Sequence, residues 1–157
     1  RDVAVGLVGS EMCIRDRPNT GNIIRLCANT GCRLGLVEPL GFDMNNKQLR
    51  RAGLDYHEWA EVGIFPDLAS ACPPDGDIYA ISTRGTVPYT DARLKPGDTL
   101  VFGPETRGLP TGYLDKFQTD RVLRIPMLKH SRSLNLSNAV AVVVYEGLRQ
   151  NAFRDEA

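Results

Sequence analysis

Three stretches of this chain set Gly, Pro, Asn and Ser beside one or two charged side chains, a composition suited to loops that grip a ligand. The first is Pro18-Asn19-Thr20-Gly21-Asn22-Ile23-Ile24-Arg25. Asn19 or Thr20 can cap a helix whose apolar stripe is Ile23, Ile24, Cys27 and Ala28, with Gly31 as its stop. The first turn of such a helix exposes N–H groups that no backbone carbonyl satisfies. Arg25 projects about one turn later, so the segment suits an anionic substrate.

The second stretch, Phe102-Gly103-Pro104-Glu105-Thr106-Arg107-Gly108-Leu109-Pro110, directly follows an apolar run. Its glycines let the backbone approach a ligand closely, and Pro104 stiffens the loop. Leu109 and Pro110 stand where a phosphate-binding P-loop needs Lys and Ser or Thr, and no G-x-G-x-x-G occurs in the chain. The third stretch runs from Ile125-Pro126-Met127 through a basic segment to Ser131-Arg132-Ser133-Leu134-Asn135-Leu136-Ser137-Asn138-Ala139. Its serines and asparagines exceed what one helix cap requires, so the surplus is available to a ligand or partner. Each stretch alone has a plainer explanation as a cap, a surface cation or a tight turn. Their joint occurrence at predicted strand ends is what points to a binding site.

The elements that must position these loops alternate between strand and helix, the pattern of an α/β domain with a mostly parallel sheet and helices on both faces. Strands are predicted at Leu34–Val37, Ile78–Ser82, Thr99–Phe102 and Val122–Ile125, with a weaker strand and helix within Trp59–Cys72. A short helix is expected at Lys47–Ala52 and another after Pro110. Leu136–Arg149 holds Val140, Val142, Val143 and Val144, which favour strands, yet it is too long for one. It reads as a helix apolar almost all round, buried within the chain or against a second subunit.

The 157 residues, 42% hydrophobic and 24% charged, suffice for one folded domain without disulfides or a structural metal. No apolar run approaches the roughly 20 residues of a membrane helix, and Val3–Val8 is too short for a secretory signal, so a cytoplasmic location is expected. Cys13, Cys27, Cys32 and Cys72 form no C-x-x-C pair, and His57 and His130 keep no ligand spacing from them; reduced thiols and no metal are expected. Formal charge balances at 19 basic and 19 acidic residues, but the signs are segregated. Asp55, Glu58, Glu61, Asp67, Asp75 and Asp77 share a stretch without Lys or Arg, whereas Arg121, Arg124, Lys129 and Arg132 share one without acids. Such a basic face gives weak support to an RNA partner, because most charge clusters are simply solvated surface.

"PNTGNIIR", "FGPETRGLP" and "IPMLKHSRSLNLSNAVAVVVYE" resemble, in this order, the three motifs of the SPOUT class of RNA 2'-O-methyltransferases. With "RLCANTG" and "RRAGLDYHEW", the small size resembles the members that methylate the tRNA anticodon wobble nucleotide, cytidine or a modified uridine. The resemblance implies an α/β fold whose C-terminal part is a deep trefoil knot, an exception to the rule of unknotted connections. It implies S-adenosylmethionine as cofactor, held by backbone near Ile81, Gly103, Ile125 and Ser133, with Met127 and Leu134 along the adenine. It also implies a homodimer, a tRNA anticodon stem-loop as substrate, and a catalytic set matching Arg25, Asn19, Glu105, Ser133 and Asn135.

An arginine is a poor general base because its pKa exceeds about 12. Arg25 is therefore expected to clamp a phosphate beside the reacting hydroxyl, with that phosphate assisting proton loss. Tyr145 is expected at the subunit interface or substrate side.

The pattern covers one domain, 18–151, with 152–157 as a tail. Residues 1–17 do not match it, and "VGSEMCIRDR" resembles translated sequencing-adapter read-through. Val3–Val8 has the β-branched content of a first strand, but its connection to Asn19 is long for this fold. Two alternatives share the residues: a ribosomal RNA 2'-O-methyltransferase of the same fold, and a non-catalytic RNA-binding or assembly protein.

Overall fold

The computed structural model describes residues 4–8, 16–38, 62–104 and 108–153. Strands β1 (Ala4–Val8), β2 (Arg33–Val37), β3 (Val62–Phe65), β4 (Ile78–Ile81), β5 (Val87–Pro88), β6 (Thr99–Phe102) and β7 (Val122–Arg124) form one sheet in the order β3-β2-β1-β6-β4-β7-β5. Every pairing is parallel. Among the described residues the α-helices are α1 (Asp16–Thr30), α2 (Leu68–Ala71), α3 (Thr111–Leu114) and α4 (Leu136–Gln150).

Side-chain alternation along the strands divides the core into two layers. Leu34, Leu36, Tyr79, Ile81, Leu100, Phe102 and Leu123 point to one face, where Ile23, Ile24 and Cys27 of α1 and Val140, Val143 and Val144 of α4 cover them. Ala80 and Val101 point to the other, under Leu68 and Ala71 of α2 and Tyr113 and Leu114 of α3. Fully burying one such aliphatic side chain stabilises the fold by about 1.5–3 kcal/mol. The predicted sheet with helices on both faces is therefore present.

The strand ends fall level along one edge. Ile81 pairs with both Phe102 and Leu123, Leu7 pairs with Phe102, and Val37 pairs with Phe65. Loops leaving β4, β6 and β7 are thereby collected at the carboxyl edge, where parallel α/β sheets bind ligands.

Several expectations are corrected. Neither Asn19 nor Thr20 caps α1, which starts earlier, at Asp16. Pro18 is tolerated in that first turn because the N–H it lacks would have no helical partner there. The long connection to Asn19 does not prevent a first strand: Ala4–Val8 forms β1 in the interior of the sheet between β2 and β6. Within one chain α4 is covered on one side only, with Val140, Val143 and Val144 buried and Val142 and Tyr145 exposed, so of the two expected covers the chain itself supplies part. The edge strand β5 was not anticipated, being a two-residue Val-Pro pair without periodicity. The predicted helix at Lys47–Ala52 lies outside the described residues.

Candidate active site

A cavity of about 220 Å³ opens where the loops after β4, β6 and β7 meet the start of α4. Ile81, Phe102, Leu109 and Leu136 are buried and give it an apolar floor, whereas Arg84, Met127, Ser133 and Leu134 are exposed at its rim. Gly103 makes the second loop possible. A Cβ there would lie 2.3 Å from Gly108 C and Leu109 N, so only glycine lets the loop fold back on itself. Gly108 carries a φ of +63°, which also favours glycine. The six residues singled out from sequence for the cofactor, Ile81, Gly103, Ile125, Met127, Ser133 and Leu134, all line this cavity.

The third loop enters α4 through Asn135. Its Oδ1 accepts from Ser137 N–H at 3.1 Å and Asn138 N–H at 3.4 Å, the cap that apolar Leu136 and the following valines need to start a helix here. Its Nδ2 donates to Asn19 Oδ1 at 2.9 Å, joining the last helix to the first. Asn19 and Thr20 are 4% and 2% exposed, so their polar groups belong to an interior junction between α1 and α4.

Arg25 lies on the exposed side of α1 and does not line the cavity within one chain. Glu105 lies outside the described residues. The structure thus gathers the predicted cofactor residues in one place and joins Asn19 to Asn135. Sequence reasoning missed Ser82, Thr83 and Arg84, which follow β4 and line the cavity. Their position just after a predicted parallel strand was the available signal.

Burial raises the thiol pKa of both Cys27 and Cys32, so these side chains serve as core and not as nucleophiles. Among the described residues, no group of three or more His, Cys, Asp or Glu is arranged to hold a metal ion. No helix among them is long and apolar enough to cross a membrane.

A nucleoside cofactor fits the donor set of the cavity: an apolar floor for a base, hydroxyls and backbone groups for a sugar, and a cation at the rim. Comparison with known proteins agrees with this chemistry. The chain is 55% identical over 138 residues to the tRNA (cytidine(34)-2'-O)-methyltransferase of Saccharophagus degradans, covering 87% of this chain and 90% of that one. A solved structure concerned with the 2-OH methylation of C/U34 on tRNA is similar with a TM-score of 0.84 and 39% identity, covering 97% of each chain. The SpoU methyltransferase AviRb from Streptomyces viridochromogenes, solved in complex with AdoMet, shares the fold with a TM-score of 0.75 at 21% identity, over 96% of this chain and 58% of that one. Residues 12–145 match the SpoU rRNA Methylase family, and the chain belongs to that family.

Proposed function

We propose that this protein transfers a methyl group from S-adenosylmethionine to the ribose 2'-hydroxyl of the tRNA wobble nucleotide. The observation that carries this reading is the convergence of Ile81, Gly103, Ile125, Met127, Ser133 and Leu134 on one cavity at the carboxyl edge of the sheet. The family's name refers to ribosomal RNA methylation, while 55% identity over nearly the whole length of a wobble-nucleotide enzyme favours tRNA as the substrate of this chain.

When bound, S-adenosylmethionine supplies an electrophilic methyl on a sulfonium. Ile81, Gly103, Ile125 and Ser133 hold the nucleoside through backbone groups, while Met127 and Leu134 flank the base. Arg25 grips a phosphate next to the reacting hydroxyl, and a non-bridging oxygen of that phosphate accepts the hydroxyl proton. Asn19 and Asn135 fix α1 against the entrance of α4, and Ser133 and Glu105 orient the nucleophile side. Holding the oxygen in line with the methyl can remove about 7–11 kcal/mol of barrier.

Arg25 reaches the cavity of a partner subunit in a homodimer. Exposed Val142 and Tyr145 on α4 support that arrangement. The C-terminal segment threads a trefoil knot, and the geometry around β7 supports it. The chain leaves β4 on one side of β7, passes over Leu123 at Gly85, and continues as β5 on the other side. Incubating the protein with radiolabelled S-adenosylmethionine and separate tRNA and ribosomal RNA fractions tests the reading. Label in tRNA alone is expected; label confined to ribosomal RNA, or to neither, would refute it.

A further inference from the structure

Arg84 stands in the cavity wall, and the mechanism above makes no use of it. Its backbone is fixed first. Arg84 N–H donates to Ser82 Oγ at 3.2 Å and Gly85 N–H to Ser82 O at 3.0 Å, closing a turn directly after β4. Gly85 presses that turn onto β7, since a Cβ there would lie 2.6 Å from Leu123 C. The side chain is fixed next, with a terminal guanidinium nitrogen donating to Thr111 Oγ1 at the start of α3. A guanidinium offers five N–H donors in a planar fork, so a single hydroxyl leaves most of the fork for an anion.

The cavity grades from apolar floor to polar rim, and Arg84 is the one described lining residue with a formal charge. An amphipathic nucleoside whose base lies beside Met127 and Leu134 has a charged end left over for a cation in the same lining. We propose that Arg84 binds the carboxylate of the methionine part of S-adenosylmethionine, fixing the end of the cofactor remote from its adenine. This rests on the cavity being the cofactor site. An RNA phosphate would also suit the fork, but the carboxylate belongs to the ligand that fills the same cavity and is tethered to its base.

Calorimetric titration with S-adenosylhomocysteine and with its decarboxylated analogue, S-adenosyl-3-thiopropylamine, tests the contact. Wild type is expected to prefer the carboxylate-bearing ligand by about tenfold, the scale of one charge-assisted contact. Arg84→Gln is expected to bind both ligands equally, and Arg84→Lys to keep part of the preference. Equal weakening of both ligands in Arg84→Gln would mean that the residue only shapes the cavity, and would overturn the proposal. So would a preference that survives Arg84→Gln while the KM for tRNA rises, the signature of a phosphate contact. Wild type binding neither ligand would overturn the cofactor reading itself; wild type binding both without preference would overturn only the role of Arg84.

Discussion

Asn135 Nδ2 donates a hydrogen bond of 2.9 Å to Asn19 Oδ1, across 116 positions of sequence. The same Asn135 caps α4 through its other amide atom, so one side chain both starts the last helix and ties it to the first. Asn135→Ala is expected to cost about 1–3 kcal/mol, combining a lost cap with a buried partner left short of a donor. Asn135→Asp keeps the cap acceptor but sets an oxygen against Asn19 Oδ1. In a double-mutant cycle by chemical denaturation, Asn19→Ala and Asn135→Ala should be non-additive by at least about 0.5 kcal/mol. Strict additivity would mean that the bond contributes nothing.

Arg25→Ala should lower methylation by at least about a hundredfold, because a misplaced reacting group costs that much. Binding of S-adenosylhomocysteine should persist, since Arg25 does not line the cavity. Arg25→Lys should recover little, as an ammonium cannot reproduce the planar fork on a phosphate. Turnover like wild type in Arg25→Ala would remove Arg25 from the mechanism.

Gly103→Ala places a methyl 2.3 Å from backbone atoms of Gly108 and Leu109, which must shift to admit it. A loss of about 1–3 kcal/mol in stability is expected, together with weakened nucleoside binding. Gly112→Ala is the control. Nothing lies within 4 Å of its added Cβ, and in a helix the change should stabilise by up to about 1 kcal/mol. Ligand titration of both variants checks this, and unchanged binding in Gly103→Ala would contradict the account of the loop.

Glu146 accepts from Arg149 Nε at 2.8 Å and Nη2 at 2.9 Å, and from Gln150 Nε2 at 2.8 Å. These bonds, with Arg149 the largest influence, hold its pKa below the ordinary glutamate value. In the unfolded chain the group titrates near about 4.3. Its contribution to stability is therefore full above that pH and fades as pH falls through the lower folded value. Gln150 extends the cluster to Ala92 O and Leu94 N–H, so the end of α4 depends on it. Thermal midpoints of wild type and Glu146→Gln should differ near about pH 7 and converge below about pH 4. A gap that widens in acid would reverse the sign of the argument.

Much of this was legible because burial writes a local pattern. Leu34, Leu36, Leu100 and Phe102 fall on one face of strands read correctly from apolar runs. The helix at α4 was legible from its length, too great for a strand despite four valines, while its buried stripe of Leu136, Val140, Val143, Val144 and Gly147 shows only in the packing. The loops after β6 and β7 could be read from Gly, Pro, Ser and Asn at strand ends, whereas the first stretch lies inside α1 and the loop after β4 was missed. The start of α1 could not be read, because Pro18 signals a boundary in sequence although the backbone is already helical from Asp16. Neither the strand order nor the Asn19 to Asn135 contact has a local signal, since both arise from pairings between distant segments. Arg84 was overlooked for a related reason: it looks like any surface arginine until Gly85 is seen pressed against β7.

The central claim is the identity of the methylated atom, and fragment mass spectrometry of total tRNA treated with the protein and S-adenosylmethionine tests it most directly. The account predicts one added methyl on the ribose of the anticodon wobble nucleotide, resistant to alkaline cleavage at that position. A methyl on a base, on a ribose elsewhere in tRNA, or on no nucleotide at all would contradict it.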